Sequence, residues 1–568
     1  MFAEIADLLE IKGENPFKIR AYRNASDVIA TYPEPVISLT DVQVRELAGI
    51  GKDLALKIRE IATTGQLVFH QELLAQFPST VLDLLKLQGV GPKTVALLYS
   101  SLNVSSLEDL EAAARAGRLR ELRGMGSKKE QLILKALDER RQHAGRQLLA
   151  DVAATAAAIV EYLQPCAPGV DFQPVGSLRR GQETCGDLDI LAAGAAASIM
   201  EAFTSYPSVE RILGKGETKS SVRVRGGLQA DLRAVPVQSR GAAMQYFTGS
   251  RSHNIVLRDR ALQRGFKLNE YGLYRTSDDQ PVAGTQEEDI YEALGLSWVP
   301  PELRENRGEI EAAQARALPR LIESGDLRGD LHLHTTETDG RDTIETMILA
   351  ARAAGMAYIA VTEHSQSLAM ANGLDERRAL AHAARIRDIG GRIDGIRVLA
   401  GIECDIRPDG TLDLAEDCLA SLDLVIASVH SALNQDEVQM TDRLLRVIER
   451  PVVDVIGHPT GRLLLRREPC RINMAQVADA AARHGVALEI NSLADRLDLS
   501  DTNARLAHDR GARFVISSDA HSCSAVGQLK WGVMMARRAW LTAEDVLNTR
   551  PVEQFLRSLR RNRQTAVH

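Results

Sequence analysis

The sequence is poor in cysteine, with six in 568 residues, each standing alone and none in a C-x-x-C spacing. That excludes zinc ribbons, offers no disulfide framework and suits a reducing compartment. No stretch approaches the roughly 20 uninterrupted apolar residues of a membrane span, so no membrane partner is expected. The opening Met1-Phe2-Ala3-Glu4-Ile5-Ala6-Asp7 lacks a basic segment, which argues against a secretory signal and for the cytoplasm. Positive charge is not in excess either: 69 Lys and Arg stand against 76 Asp and Glu, net −7. A nucleic-acid surface would have to be local, built from patches such as Arg115, Arg118, Arg120, Arg123, Lys128 and Lys129. On charge alone these residues read as solvated helix faces. What is present is ordinary for a soluble globular chain, 45% hydrophobic and 26% charged, and long enough for three or more compact units.

The C-terminal third carries chemistry-bearing residues at the ends of apolar runs. Asp330-Leu331-His332-Leu333-His334 comes first, followed by Thr362-Glu363-His364 and Gly401-Ile402-Glu403. Ser428-Val429-His430, Gly457-His458-Pro459 and Ser518-Asp519-Ala520-His521 complete the series. A strand ends where its apolar run ends, so these side chains can converge on one rim of a barrel. Imidazoles with carboxylates and no thiolate describe a catalytic zinc, manganese or iron cluster, not a structural zinc site.

A second constellation lies in the first half. Gly186-Asp187-Leu188-Asp189-Ile190-Leu191 puts two carboxylates at i and i+2, hence on one face of a strand about 6.6 Å apart along it. Asp231, in Leu228-Gln229-Ala230-Asp231-Leu232-Arg233, adds a third from another short alternating run. Three carboxylates on adjacent strands can hold two hard cations about 3.5–4 Å apart, as phosphoryl transfer requires. Val175-Gly176-Ser177-Leu178-Arg179-Arg180-Gly181 precedes them: a strand, a Gly-Ser turn and a basic helix start. Backbone N–H groups and a guanidinium there suit a triphosphate.

Three G-x-G turns open amphipathic helices: Gly49-Ile50-Gly51, Gly89-Val90-Gly91 and Gly124-Met125-Gly126. This is the sequence form of a helix-hairpin-helix. The glycines let the backbone approach a DNA phosphate, which is met by main-chain N–H groups rather than by basic side chains. An acidic net charge is then no obstacle to DNA binding.

At these residues the chain resembles a known family. Residues 176–189 resemble the nucleotidyltransferase signature of family X DNA polymerases, and Tyr246-Phe247-Thr248-Gly249-Ser250 with Asn254 and Arg258 is similar to that family's nucleotide-pocket motif. The C-terminal third resembles the PHP (polymerase and histidinol phosphatase) superfamily. Family X followed by PHP is the bacterial and archaeal arrangement, and the resemblance spans nearly the whole chain.

The resemblance implies a multidomain α/β fold: helix-hairpin-helix domains, a palm with a mixed sheet, an α/β thumb and a distorted (β/α) barrel. The expected domains are a lyase-like helical domain over 1–85, fingers over 86–145, palm over 146–238, thumb over 239–300, a linker over 301–327 and PHP over 328–568. Within them the pattern predicts a helix over 146–164, a helix near 195–205 and a charged connecting helix over 302–323. Palm strands are predicted near 170–175, 187–193, 209–214, 221–225 and 229–235, and thumb helices over 239–247 and 251–265.

For the polymerase half the resemblance implies Asp187, Asp189 and Asp231 as catalytic ligands of Mg²⁺ or Mn²⁺. Gly176, Ser177, Arg180 and Gly186 would form the triphosphate turn, and Arg233 would engage the carboxylates. Tyr246, Phe247 and Gly249 would line the sugar pocket, with Asn254 and Arg258 on the minor-groove side of the nascent pair. Cys185 departs from the Ser that many members have. Gly49, Gly51, Gly89, Gly91, Gly124 and Gly126 would contact DNA. Lys57 matches a Schiff-base lysine, but Asp53 one turn earlier stabilises its ammonium and opposes lyase chemistry.

For the PHP half His332, His334, Asp339, His364, Glu403, His430, His458, Asp519 and His521 match nine metal-binding positions. Two or three Mn²⁺ or Zn²⁺ would be held, with Glu403 as a bridge; Glu363 replaces the more usual Asp and is expected behind the ligands. The implied protein is a monomeric, nucleoid-associated DNA polymerase that fills short gaps in repair, base excision repair included. A 3′-to-5′ exonuclease would be linked to it, with an abasic-site endonuclease as a variant of the same site. Gapped or primed DNA and dNTPs are its expected partners. The competing readings are a DNA-binding scaffold with vestigial sites and a histidinol-phosphate-type phosphatase. The second has no use for the G-x-G turns or the nucleotidyltransferase half.

Overall fold

The computed structural model describes residues 1–31, 39–47, 49–64, 66–78, 80–85, 87, 90–143, 145–194 and 198–559. The chain divides into an N-terminal unit and a larger one that begins at Gly145.

The described residues of the N-terminal unit are helical. Capping residues set several helix starts: Thr40 closes a capping box with Gln43, and Ser106 does the same with Asp109. Gly91 caps helix Pro92–Leu102, with Pro92 at its first position, where a missing N–H costs nothing. Two apolar clusters hold the helices, one around Leu8, Leu9, Tyr22 and Ile58 and one around Leu84, Val95, Leu98 and Leu110.

In the larger unit a five-stranded mixed sheet comes first: β1 (Asp171–Pro174), β2 (Asp187–Ala193), β3 (Val209–Lys215), β4 (Lys219–Val224) and β5 (Gln229–Val235). The strand order is β1-β2-β5-β4-β3, and β2 and β5 run parallel with Asp189 opposite Asp231. Helix Leu149–Leu163 buries Leu149, Val152, Ala156, Ile159 and Leu163, one stripe at helical period, in the core that also holds Leu188 and Ile190. The helix predicted over 146–164 therefore starts later. Gln147–Leu148 pair instead with Thr184–Cys185, fixed by Arg146 donating to Thr184 Oγ1 at 2.8 Å. It also ends a residue earlier, because Pro165 follows in a 3₁₀ turn over Gln164–Cys166. The helix predicted near 195–205 spans Ile199–Thr204; residues 195–197 lie outside the described residues.

Helices Arg240–Thr248 and Arg251–Gln263 lead to a three-stranded antiparallel sheet of β6 (Phe266–Asn269), β7 (Gly272–Arg275) and β8 (Pro281–Ala283), then helix Glu287–Ala293. The charged helix predicted over 302–323 is not one helix. A 3₁₀ turn at Pro301–Leu303 and a short helix at Glu309–Ala315 replace it, interrupted by left-handed residues Asn306, Gly308 and Arg316. Burial explains the break: Leu303, Ile310, Ala313 and Leu321 enter the thumb core, and Arg304 and Glu309 are fully buried. Glu309 accepts from the Asn306 and Arg307 N–H groups and from His253 Nδ1 at 2.7 Å, which satisfies its carboxylate away from water.

Seven parallel strands follow in sequential order: β9 (Gly329–Asp330), β10 (Tyr358–Val361), β11 (Arg397–Asp405), β12 (Leu424–Ser428), β13 (Val455–Ile456), β14 (Ala487–Asn491) and β15 (Arg513–Ser517). The ends meet. Leu333 bridges Ala520 in parallel, and Asp330 accepts from the Ser518 N–H at 3.0 Å. The sheet is a nearly closed barrel, with its connecting helices packed on the outside.

Candidate active sites

In a parallel barrel every strand delivers its last residues to the same rim. His332 and His334 follow β9, His364 follows β10, Glu403 lies near the end of β11, His430 follows β12, His458 follows β13, and Asp519 and His521 follow β15. Asp339 reaches the same place on the loop after His334, with Oδ2 3.3 Å from His364 Nε2 and 3.5 Å from His521 Nε2. All nine residues meet, His458 through its Nε2, 2.8 Å from Glu403 Oε1. Three overlapping sets have ligand atoms within 4.8 Å of one another: His334, Asp339, His364 and His521; His332, His334 and Asp519; His364, Glu403 and His430.

The donor geometry fits metals. His332 donates from Nδ1 to Glu489 at 2.8 Å, His430 from Nδ1 to Asp405 at 2.9 Å, and His521 from Nδ1 to the Asp519 carbonyl at 2.9 Å. Each ring is thus fixed with Nε2 left for the cluster, the arrangement by which outer partners orient metal-binding histidines. His332 Nε2, both nitrogens of His334, His364 Nδ1 and Glu403 Oε2 are buried and make no hydrogen bond. Such atoms are costly unless a cation meets them. Backbone strain sits at the same rim, where His458 and Asp519 adopt positive φ of 25° and 52°.

The electrostatics agree. Burial raises the Glu403 pKa, but His332, His430 and His364 overcome it and hold it well below the usual carboxylate range. Burial likewise opposes His364, yet Glu403 and Asp339 hold it at about 10. Buried His334, flanked by His364 and His521, is pushed down to about 4 and stands neutral, the form that binds a metal, whereas His364 would have to give up its proton to bind one. Glu363 is no ligand. It accepts from the Thr335 N–H at 3.1 Å and pairs with His382 Nε2 at 3.3 Å, holding the loop that carries Asp339. Glu489, Asp405 and His382 were not singled out from sequence. Asp405 ends its strand as the candidate ligands do, whereas Glu489 stands in the middle of β14 and nothing marks His382.

The palm site is more open. Asp187 is exposed, Asp189 is half-buried and Asp231 is buried. Gly176 faces Asp189, and a Cβ there would lie 3.4 Å from Asp189 Oδ2, so the turn and the carboxylates form one site. Burial, with Asp187 and Asp231 nearby, raises Asp189 to about 6 against the pull of Arg233 and Lys219. Lys219 Nζ lies 2.6 Å from Asp231 Oδ2, a pairing that sequence spacing did not reveal. Arg233 has Nε 3.8 Å from Asp189 and stacks on Phe247, 4.4 Å from its ring centre, where edge-on Tyr246 meets it. Cys185 is buried beneath the turn, and a Cβ on Gly186 would lie 3.7 Å from Arg146 Nη1. Ser177 is half-buried in the turn itself.

Arg180 donates from Nε to Glu305 at 3.0 Å and from Nη1 to the Thr248 carbonyl beside Gly249. Asn254 donates to the Tyr246 carbonyl at 2.7 Å and accepts from Gln245 at 2.7 Å, so it braces the pocket wall; Arg258, one turn on, is exposed.

In the N-terminal unit the three turns share one hydrogen bond. Ile50 N–H donates to Leu47 O at 3.0 Å, Val90 to Leu87 O at 3.1 Å and Met125 to Leu122 O at 3.0 Å. The middle residue is buried each time, while a Cβ on Gly49, Gly51, Gly91, Gly124 or Gly126 would meet nothing within 4 Å. Packing does not demand these glycines, although Gly49, Gly124 and Gly126 do have positive φ. Gly89 lies outside the described residues. Lys57 pairs with Asp53 and lies 4.9 Å from the Phe69 ring centre; burial opposes its charge, but Asp53 and Tyr22 raise its pKa.

Family models match as helix-hairpin-helix domain over residues 1–67, SAM-like helix-hairpin-helix tandem over 81–139, DNA polymerase beta palm over 149–225, DNA polymerase beta thumb over 243–305 and PHP domain over 330–493. The DNA polymerase/3′-5′ exonuclease PolX of Bacillus subtilis is 36% identical over 561 residues, 98% of either chain. A probable phosphatase of Shewanella sediminis is 31% identical over 232 residues, 39% of this chain and 89% of that protein. Another from Caldanaerobacter subterraneus is 30% identical over 247 residues, 41% and 92% respectively. The two phosphatases cover about two fifths of this chain, whereas the Bacillus relative matches it over nearly its full length. The chain belongs to the family X DNA polymerases that carry a C-terminal PHP domain.

Proposed function

We propose that the protein is a DNA polymerase that adds dNTPs to primer ends at short gaps and removes 3′ nucleotides at a separate metal centre in its barrel. The convergence of nine candidate ligands on the barrel rim, together with the carboxylate trio in the palm, carries this reading. It disfavours a scaffold with vestigial sites.

In the palm, Asp187, Asp189 and Asp231 would hold two Mg²⁺ or Mn²⁺ ions, which supply charge neutralisation for the triphosphate and activation of the primer hydroxyl. The Gly176–Arg180 turn binds phosphate through backbone N–H groups and the Arg180 guanidinium. Phe247, fixed by Arg233, presents a flat wall to the incoming sugar, and Asn254 holds that wall through Tyr246. Lys219 keeps Asp231 ionised and poised. In the barrel the nine ligands would hold two or three Mn²⁺ or Zn²⁺, which supply Lewis acidity at phosphorus. Glu489 and Asp405 keep His332 and His430 in the tautomer that offers Nε2.

Outside the two centres, the helix-hairpin-helix turns grip DNA through Gly49, Gly51, Gly89, Gly91, Gly124 and Gly126 without reading sequence. Lys57, held as an ammonium, suits a downstream 5′-phosphate better than imine formation. A monomer working in base excision repair at the nucleoid fits this set, and cleavage at abasic sites would use the same barrel centre. No helix among the described residues is long and apolar enough to cross a membrane. The test is a labelled primer on one-nucleotide-gapped DNA, with and without dNTPs, in Mg²⁺ and in Mn²⁺. Extension by one nucleotide with dNTPs and shortening without them is the expected result.

A further inference from the structure

The palm turn and the barrel are joined by a buried chain of charges that lies outside both candidate metal centres. Helix Lys530–Arg538, packed outside the barrel, ends in Arg538, whose side chain is 2% exposed. Its Nη1 donates to the main-chain carbonyl of Arg180 at 2.7 Å and to Glu305 Oε1 at 3.1 Å, while Nη2 donates to Asp501 at 2.8 Å. Glu305 Oε1 is also the acceptor for Arg180 Nε at 3.0 Å and Gln182 Nε2 at 2.5 Å. Two of the three nitrogens of the Arg180 guanidinium are therefore committed, and the acceptor that orients it is itself held by Arg538.

Shape adds to charge. Gly181, next in the chain, has φ +67°, and a Cβ there would lie 2.3 Å from Met534 Cγ on the same barrel helix. The neighbouring Arg537 donates to Glu302 at 2.7 Å and to the Ile322 carbonyl at 2.9 Å, so the helix end is anchored on both sides of Glu305.

We propose that Arg538 of the barrel domain is a positioning residue for nucleotide addition, acting through Glu305 to set the Arg180 guanidinium for the incoming triphosphate. This rests on reading the Gly176–Arg180 turn as the triphosphate site. A charged pair this buried is expensive to break, because the remaining carboxylate loses a donor it cannot replace from water. Here both carboxylates keep another arginine, since Glu305 has Arg180 and Asp501 has Arg307 at 3.0 Å. Losing Arg538 therefore loosens the geometry of the turn without leaving a bare buried charge.

The test uses the full-length protein on one-nucleotide-gapped DNA in Mg²⁺, with a single dNTP titrated and 3′ degradation measured without dNTP on the same preparations. Arg538→Gln and, independently, Glu305→Gln should each raise KM for the dNTP about tenfold with kcat and 3′ degradation nearly unchanged. Arg180→Gln should raise KM too, and Arg180→Gln combined with Arg538→Gln should be no worse than Arg180→Gln alone. If Arg180→Gln raises KM and both Arg538→Gln and Glu305→Gln leave it unchanged, the positioning role is overturned and the turn assignment stands. If Arg538→Gln lowers extension and degradation in parallel with its melting temperature, the contact is only a structural clasp and the proposal fails. If Arg180→Gln leaves KM unchanged, the triphosphate reading falls and takes the proposal with it.

Discussion

The palm and the barrel solve the problem of holding cations in opposite ways. In the palm the carboxylates lie on the open face of a sheet, graded from exposed Asp187 to buried Asp231, and side-chain cations from Lys219 and Arg233 stand beside them. In the barrel the candidate ligands are mostly buried, several of their nitrogens make no hydrogen bond, and the His332 and His430 rings are pre-aimed by groups behind them. On the reading proposed above, the open palm would take cations that arrive with substrate, and the closed barrel would keep its own.

The largest expected effect is at the barrel. His332→Ala with His334→Ala should remove 3′ degradation and leave gap filling, and chelation followed by Mn²⁺ should restore the wild type but not the variant. A variant that degrades primers at the wild-type rate in Mn²⁺ would end the assignment. Next in size, Glu489→Gln should weaken retention of barrel metal roughly 10–100-fold while sparing extension, because His332 loses its carboxylate partner. Metal content after desalting measures this; wild-type stoichiometry would mean that ring orientation does not limit affinity.

Acid should separate the two sites again. With Asp189 raised to about 6, the carboxyl holds a proton below that pH, and a cation must displace it. The Mg²⁺ concentration needed for half-maximal extension should rise about tenfold per pH unit below 6 and level off above it. A Mg²⁺ requirement flat from pH 5 to 7 would contradict the raised value. The smallest effect belongs to the N-terminal turns. Replacing Gly91 by Val should weaken binding to gapped DNA several-fold irrespective of sequence, since bulk there blocks approach of the backbone to phosphate. Unchanged affinity in a folded variant would remove that turn from the DNA interface.

The parts legible in sequence are those whose chemistry is local. His332, Glu403 and Asp519 sit at the ends of apolar runs, and a parallel barrel turns that local fact into a shared rim. Asp187 and Asp189 share a strand face by alternation alone. Lys219, Glu489 and His382 were not legible, because each acquires its role from a partner on a neighbouring strand or loop that no spacing encodes. The stretch after Pro300 misled for a related reason. Its charged residues read as a connecting helix, yet Arg304 and Glu309 are buried, paired with Glu287 and His253. The start of the helix at Leu149 was obscured by the Arg146–Thr184 contact, which is 38 residues apart in sequence.

The central claim is that two independent metal centres perform two reactions on the same primer end. Asp189→Ala on a labelled primer in one-nucleotide-gapped DNA tests it most directly, with dNTPs present and absent. Extension should disappear while 3′ degradation continues at close to the wild-type rate. Extension that persists would contradict the palm assignment, and loss of both activities in a folded protein would contradict their independence.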